Sequence, residues 1–153
     1  MTGESNTPQN TQAMEQTPNY GFGTTVDASF DETVIRVTEA LKAEGFGVLT
    51  TIDVKQTMKA KLNLDFERYS ILGACNPQLA HQALELDHTV GLLLPCNVVV
   101  HEAHDTTGSS RTRVDIADPV AMLGIIQNEE MQSLAQEARS RLERVVKSLS
   151  ASK

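Results

Sequence analysis

The chain has no tryptophan, and its four phenylalanines and two tyrosines make up only 4% of 153 residues. Aromatic platforms for stacking nucleic-acid bases are therefore not expected. Basic residues are also scarce: 13 Lys and Arg stand against 20 Asp and Glu, a net charge of −7. Affinity for nucleic acid rests mainly on Lys and Arg neutralising phosphates, so no nucleic-acid partner is expected. Two cysteines do not make a disulfide framework, and a reducing cytoplasm is the expected compartment. The longest uninterrupted apolar run, Val90 to Cys96, is far shorter than the roughly 18 residues of a membrane span, so no membrane partner is expected. Residues 1–19 hold no Lys or Arg and no apolar block, the opposite of a secretory leader. What remains is an acidic chain long enough to bury about 70% of its unfolded surface without help from a disulfide or a metal.

The chain divides by composition. Residues 1–19 are rich in Thr, Asn, Gln and Ser and carry Pro8 and Pro18; such a segment cannot bury enough apolar surface to offset its ordering entropy, and reads as a disordered polar tail. Residues 20–149 read as a single domain, with 150–153 as a short second tail. Tyr20 to Ala28 alternates as a first strand. Ser29 and Glu32 then form a capping box, and Phe30, Val34, Val37 and Leu41 share one helical face until Gly45 ends the run. Phe46 to Ile52 is a second strand. Asp53 and Gln56 repeat the capping signature, and Val54, Met58 and Leu62 mark a helical face. Glu102 to Ser110 reads as a hairpin loop into the strand Arg111 to Ala117. A turn or short helix follows at Asp118-Pro119, and a last helix begins at Asn128 with Glu129 and Glu130 near its positive end. Strands and single helices alternate irregularly, so the fold class is α+β, with one sheet covered on one face by the first and last helices.

Both cysteines fall in the stretch Tyr69 to His101. Arg68 to Cys75 reads as a strand, ended by Asn76 as helix N-cap and Pro77 at the first helical position. In the helix to Leu86, Leu79, Ala83 and Leu86 point inward, and His81 with Glu85 share another face. Gly91 to His101 reads as a strand apolar on both faces, which calls for cover on both sides, by helices or by a second subunit. Pro95 cannot donate to a ladder and should mark an edge or a bulge that re-aims Cys96. The segment His101-Glu-Ala-His104 is one residue short of a metalloprotease H-E-x-x-H, and we do not read it as one.

The segments Ile-Leu-Gly-Ala-Cys75-Asn-Pro77 and Leu-Leu-Pro95-Cys96-Asn97-Val, with Gly45-Phe46-Gly-Val-Leu and Asp53-Val-Lys ahead of them, resemble the bacterial and archaeal family known as domain of unknown function 302. The resemblance spans about Gly21 to Leu149. It implies a TATA-binding-protein-like β-α-β(4)-α arrangement, commonly packed as a homodimer, and it supplies no activity or cofactor.

The residues therefore point to a homodimeric structural or ligand-binding module whose candidate site is Cys75, Asn76, Cys96 and Asn97. Two thiolates with His81 or His101 as a further ligand would suit a soft metal or a thiol switch, which is the alternative reading. It draws on the helix start beside Cys75, where backbone N–H groups favour a thiolate. No complete catalytic motif is present.

Overall fold

The computed structural model describes residues 15–17, 19–103 and 110–151. Alternation of side chains along each strand sets the inner face of its sheet. Leu72, Val98, Ile116 and Phe22 stand opposite one another across four neighbouring strands, and all four are buried. The strands are β1 (Glu15–Thr17), β2 (Gly21–Val26), β3 (Gly47–Asp53), β4 (Tyr69–Cys75), β5 (Cys96–Ala103) and β6 (Arg111–Ala117). They run antiparallel in the order β1-β2-β6-β5-β4-β3, with β1 a three-residue addition at one edge.

Two helices bury the inner face. In α1 (Phe30–Ala43), Ser29 Oγ accepts from the Glu32 N–H at 3.2 Å, and Gly45 follows at φ 86°. The conformation at Gly45 is left-handed, which a residue without Cβ adopts at little cost. Phe30, Val37 and Leu41 pack with Leu142, Val145, Val146 and Leu149 of α5 (Glu129–Ala151) over the sheet. The arrangement is the expected β-α-β(4)-α, read as β2, α1, β3 to β6 and α5, with α2 (Val54–Leu62) and α3 (Pro77–Leu86) inserted between strands. A short α4 (Pro119–Leu123) follows β6, capped by Asp118.

Several expectations need correction. The run expected as one strand from Gly91 is two elements: a 3₁₀ helix covers His88–Leu93, and β5 begins only at Cys96. Asp87 explains the change, because its carboxylate accepts from the Thr89 N–H and caps a helical turn. Leu92 is consequently 88% exposed instead of facing a core. Pro95 is neither on an edge nor inside a ladder; it precedes the central strand β5, and the Leu94–Pro95 peptide is cis. The face Val54, Met58 and Leu62 of α2 is only partly covered: Val54 and Met58 are half-buried, Leu62 is exposed, and no residue of that helix is fully buried. Of the N-terminal tail, Glu15–Thr17 pairs with β2, while residues 1–14 and 18 lie outside the described residues. At the other end α5 continues through Ala151. The hairpin expected over 102–110 is narrower, as β5 reaches Ala103; residues 104–109, with His104, lie outside the described residues.

Candidate functional site

The site forms where β3 begins, β4 ends and β5 begins, three chain ends that antiparallel pairing brings to one end of the sheet. Ala74 stands opposite Cys96, and Gly47 opposite Cys75. Asn76 turns the chain from β4 into α3: its Oδ1 accepts from the Leu79 N–H at 3.1 Å, and Pro77 takes the first helical position. The helix thus starts two residues after the strand's last, Cys75, and folds back across the sheet end. Leu79, Ala80, Ala83 and Leu84 of α3, Leu94-Pro95, Pro119 and Leu123 of α4, and Leu134 and Ala138 of α5 close a cavity of about 410 Å³ over Phe46, Thr50, Ala74, Cys75 and Cys96. No charged residue lines it among the described residues. Thr50, Asn76 and the two thiols are its polar groups, and the Asn76 oxygen is already committed to the helix cap.

The chain's two cysteines therefore share one wall, as the sequence suggested. Their chemistry differs from the expectation. Both thiols are free and partly buried. Burial pushes Cys96 up to about 11, with Cys75 and Asp118 adding to the rise. Burial also raises Cys75. Desolvation penalises a thiolate more than the start of α3 favours it, so at neutral pH these are protonated, polarisable apolar groups rather than nucleophiles.

The remaining candidates separate. Asn97 is the next residue of β5, is exposed, and points to the opposite face of the sheet from Cys96. It lines a second hollow of about 210 Å³ together with residues 92–96, Ala117, Pro119, Met122 and Leu123. His81 sits on the outer side of α3, its Nε2 3.6 Å from Glu85 Oε2, both well exposed; it does not line the cavity of the thiols. His101 lies five residues along β5, roughly 17 Å at a strand's rise, and stacks on Tyr69 with ring centroids 5.3 Å apart. Its Nδ1 is 2.9 Å from the Glu102 carbonyl oxygen. The metal set Cys75, Cys96 and His81 is thus not brought together. Among the described residues no group of three or more His, Cys, Asp or Glu side chains could hold a metal ion. The apolar lining from α3, α4 and α5 went unnoticed in the sequence, where these residues carry the same signal as core positions.

A one-sheet α+β domain with an uncharged cavity at the sheet end is the class that fold and site define. The family Domain of unknown function DUF302 matches residues 22–149, and the chain belongs to it. It is similar to an uncharacterised conserved DUF302 protein from Bacillus stearothermophilus, known from a crystal structure, with a TM-score of 0.76 and 30% identity over 86% of this chain and 99% of that one. No curated protein matches the chain. Among the described residues no helix is long and apolar enough to cross a membrane.

Proposed function

We propose that this DUF302 chain works as a binding module for a small, uncharged, apolar molecule held against Cys75 and Cys96. One observation carries the reading: a concave space of about 410 Å³ has no charged residue in its lining, and sites for drug-sized ligands are concave, mostly apolar and about 300–1,000 Å³. A charged ligand entering it would lose its hydration with nothing to replace it. The soft-metal and thiol-switch readings receive less support, because both thiols are held protonated and His81 lies elsewhere.

The test is thermal melting with uncharged apolar probes such as 1-decanol and naphthalene, in the wild type and in Ala80→Phe, which fills the cavity from α3. A ligand at a hundred times its Kd stabilises by about 2.7 kcal/mol, which for a chain of this length raises Tm by roughly 5–10 °C. The shift should vanish in Ala80→Phe. Equal shifts in both proteins, or none in the wild type, would overturn the reading.

A second reading, compatible with the first, is that the module is a homodimer. It is supported by the edge strand β3 and by α2, beside which Leu49, Ile52, Leu62, Leu64 and Phe66 are all at least 40% exposed. Clustered exposed apolar side chains mark association surfaces, and a two-fold contact buries the same patch twice. Light scattering should give twice 16.7 kDa at micromolar concentration, and Leu62→Lys should return it to the monomer. A wild-type monomer would refute the reading.

A further inference from the structure

The hollow that holds Asn97 and the cavity that holds the two thiols are not independent. Leu94, Pro95, Cys96, Pro119 and Leu123 line both. These five residues come from two segments, the lead into β5 and the helix α4, so the two spaces adjoin along the slot between those segments. The second length adds about 210 Å³ to the first 410 Å³ and is likewise without a charged lining residue among the described residues. Its lining includes Leu92, 88% exposed, and Asn97, whose amide makes no hydrogen bond to another described residue.

We infer that the ligand is an extended hydrocarbon chain, acyl or prenyl in type, with an uncharged hydroxyl or carbonyl head. The chain lies along the slot past Cys96 and reaches from the α3 cavity to Asn97. This rests on the binding reading above and narrows it. A compact ring would fill the first space and leave the second empty; a chain fills both. The head is uncharged because neither length offers a counter-ion, and Arg139, the cation beside Asp118, is already paired with that carboxylate. The Asn97 amide can both donate to and accept from a hydroxyl or carbonyl.

The experiment measures binding of primary alcohols of eight to twenty carbons, delivered from cyclodextrin, and of naphthalene to the full chain. The comparison is with Ala117→Phe, which fills the second length and does not line the first. Each added methylene in an apolar site raises affinity about fourfold. A benzene ring fits a cavity of about 150 Å³, or roughly 25 Å³ per carbon, so the blocked length corresponds to about eight carbons. In the wild type affinity should keep rising to the longest chains. In Ala117→Phe it should flatten earlier and cost the twenty-carbon alcohol at least tenfold, with octanol and naphthalene unchanged. If Ala117→Phe does not fold, Met122→Trp blocks the same length. Long chains bound equally by wild type and blocked variant would overturn the extended-chain inference and leave the binding reading standing. No binding of any probe to the wild type would remove both.

Discussion

Raising the pH should weaken this fold through its desolvated thiols, Cys96 more than Cys75. Cys96 is pushed up to about 11 in the folded protein from an ordinary 9.0, first by burial and then by Cys75 and Asp118. The native state therefore keeps this proton at pH values where the unfolded chain releases it, and stability falls as pH rises between 9 and 11. The contribution is fully present below pH 9. Two pH units at 1.36 kcal/mol each set the total at about 2.7 kcal/mol, of which about 1.3 kcal/mol is lost between pH 8 and pH 10. Lysines and tyrosines also titrate in this range, so the assay is a difference: urea midpoints of the wild type and of Cys96→Ala, measured in parallel from pH 7 to 10. The difference should be flat to about pH 8.5 and then shrink, as the wild type loses a term that the variant lacks. Cys96 should also resist a thiol reagent in the native state at pH 8 and react on unfolding. A pH-independent difference, together with fast native-state labelling of Cys96, would mean that the thiol is not desolvated, and the account of the cavity wall would be wrong.

Two further substitutions test how the sheet end is built. Asn76→Ala removes the acceptor for the Leu79 N–H, a part-buried donor; loss of such a cap costs about 0.5–2 kcal/mol, read as a lower denaturation midpoint, and an unchanged midpoint would show that water replaces the cap. Gly73→Ala would drive a Cβ against Thr50 Oγ1 and to 2.9 Å from Pro95 Cγ. Overpacking of this kind costs about 1–3 kcal/mol, and adding Thr50→Ala should recover part of it; no recovery would place the strain at Pro95 instead.

Local rules carried far in this sequence where they concern backbone ends. Ser29, Asp53, Asn76 and Asn128 were all legible as caps, and each accepts the hydrogen bond its position requires. Strand alternation gave the inner faces of β4 to β6, because Leu72, Val98, Val100, Val114 and Ile116 are buried at the spacing a sheet demands. The same rule failed over Gly91 to Pro95. An apolar run shows that burial is wanted without saying in which backbone, and the decisive signal, the cap at Asp87 ahead of Thr89, lay outside the run. In α2 the failure was of another kind. The period was helical and the helix is there, but its apolar face is only partly covered, with Val54 and Met58 half-buried and Leu62 exposed, and periodicity cannot tell a fully buried face from a partly exposed one.

The cavity was legible only through its cysteines, for a physical reason. A site made to hold something uncharged uses Leu, Ala, Pro and Val, the residue types that also fill a core, and whether they meet or leave a gap depends on distances between elements far apart in the chain. Leu134 and Ala138 of α5 reach the same space as Phe46 and Leu94, and no spacing rule connects them. Cys75 and Cys96 stood out because a cysteine at a strand end resembles a reactive site. The fold gives them the opposite character: pairing of β4 with β5 puts both at one sheet end, where packing of α3, α4 and α5 desolvates Cys96 and holds its proton in place. A polarisable, protonated thiol in an uncharged wall contributes contact area and a weak donor. The residue pair thus marks where the cavity is, while the helices around it keep its thiols protonated.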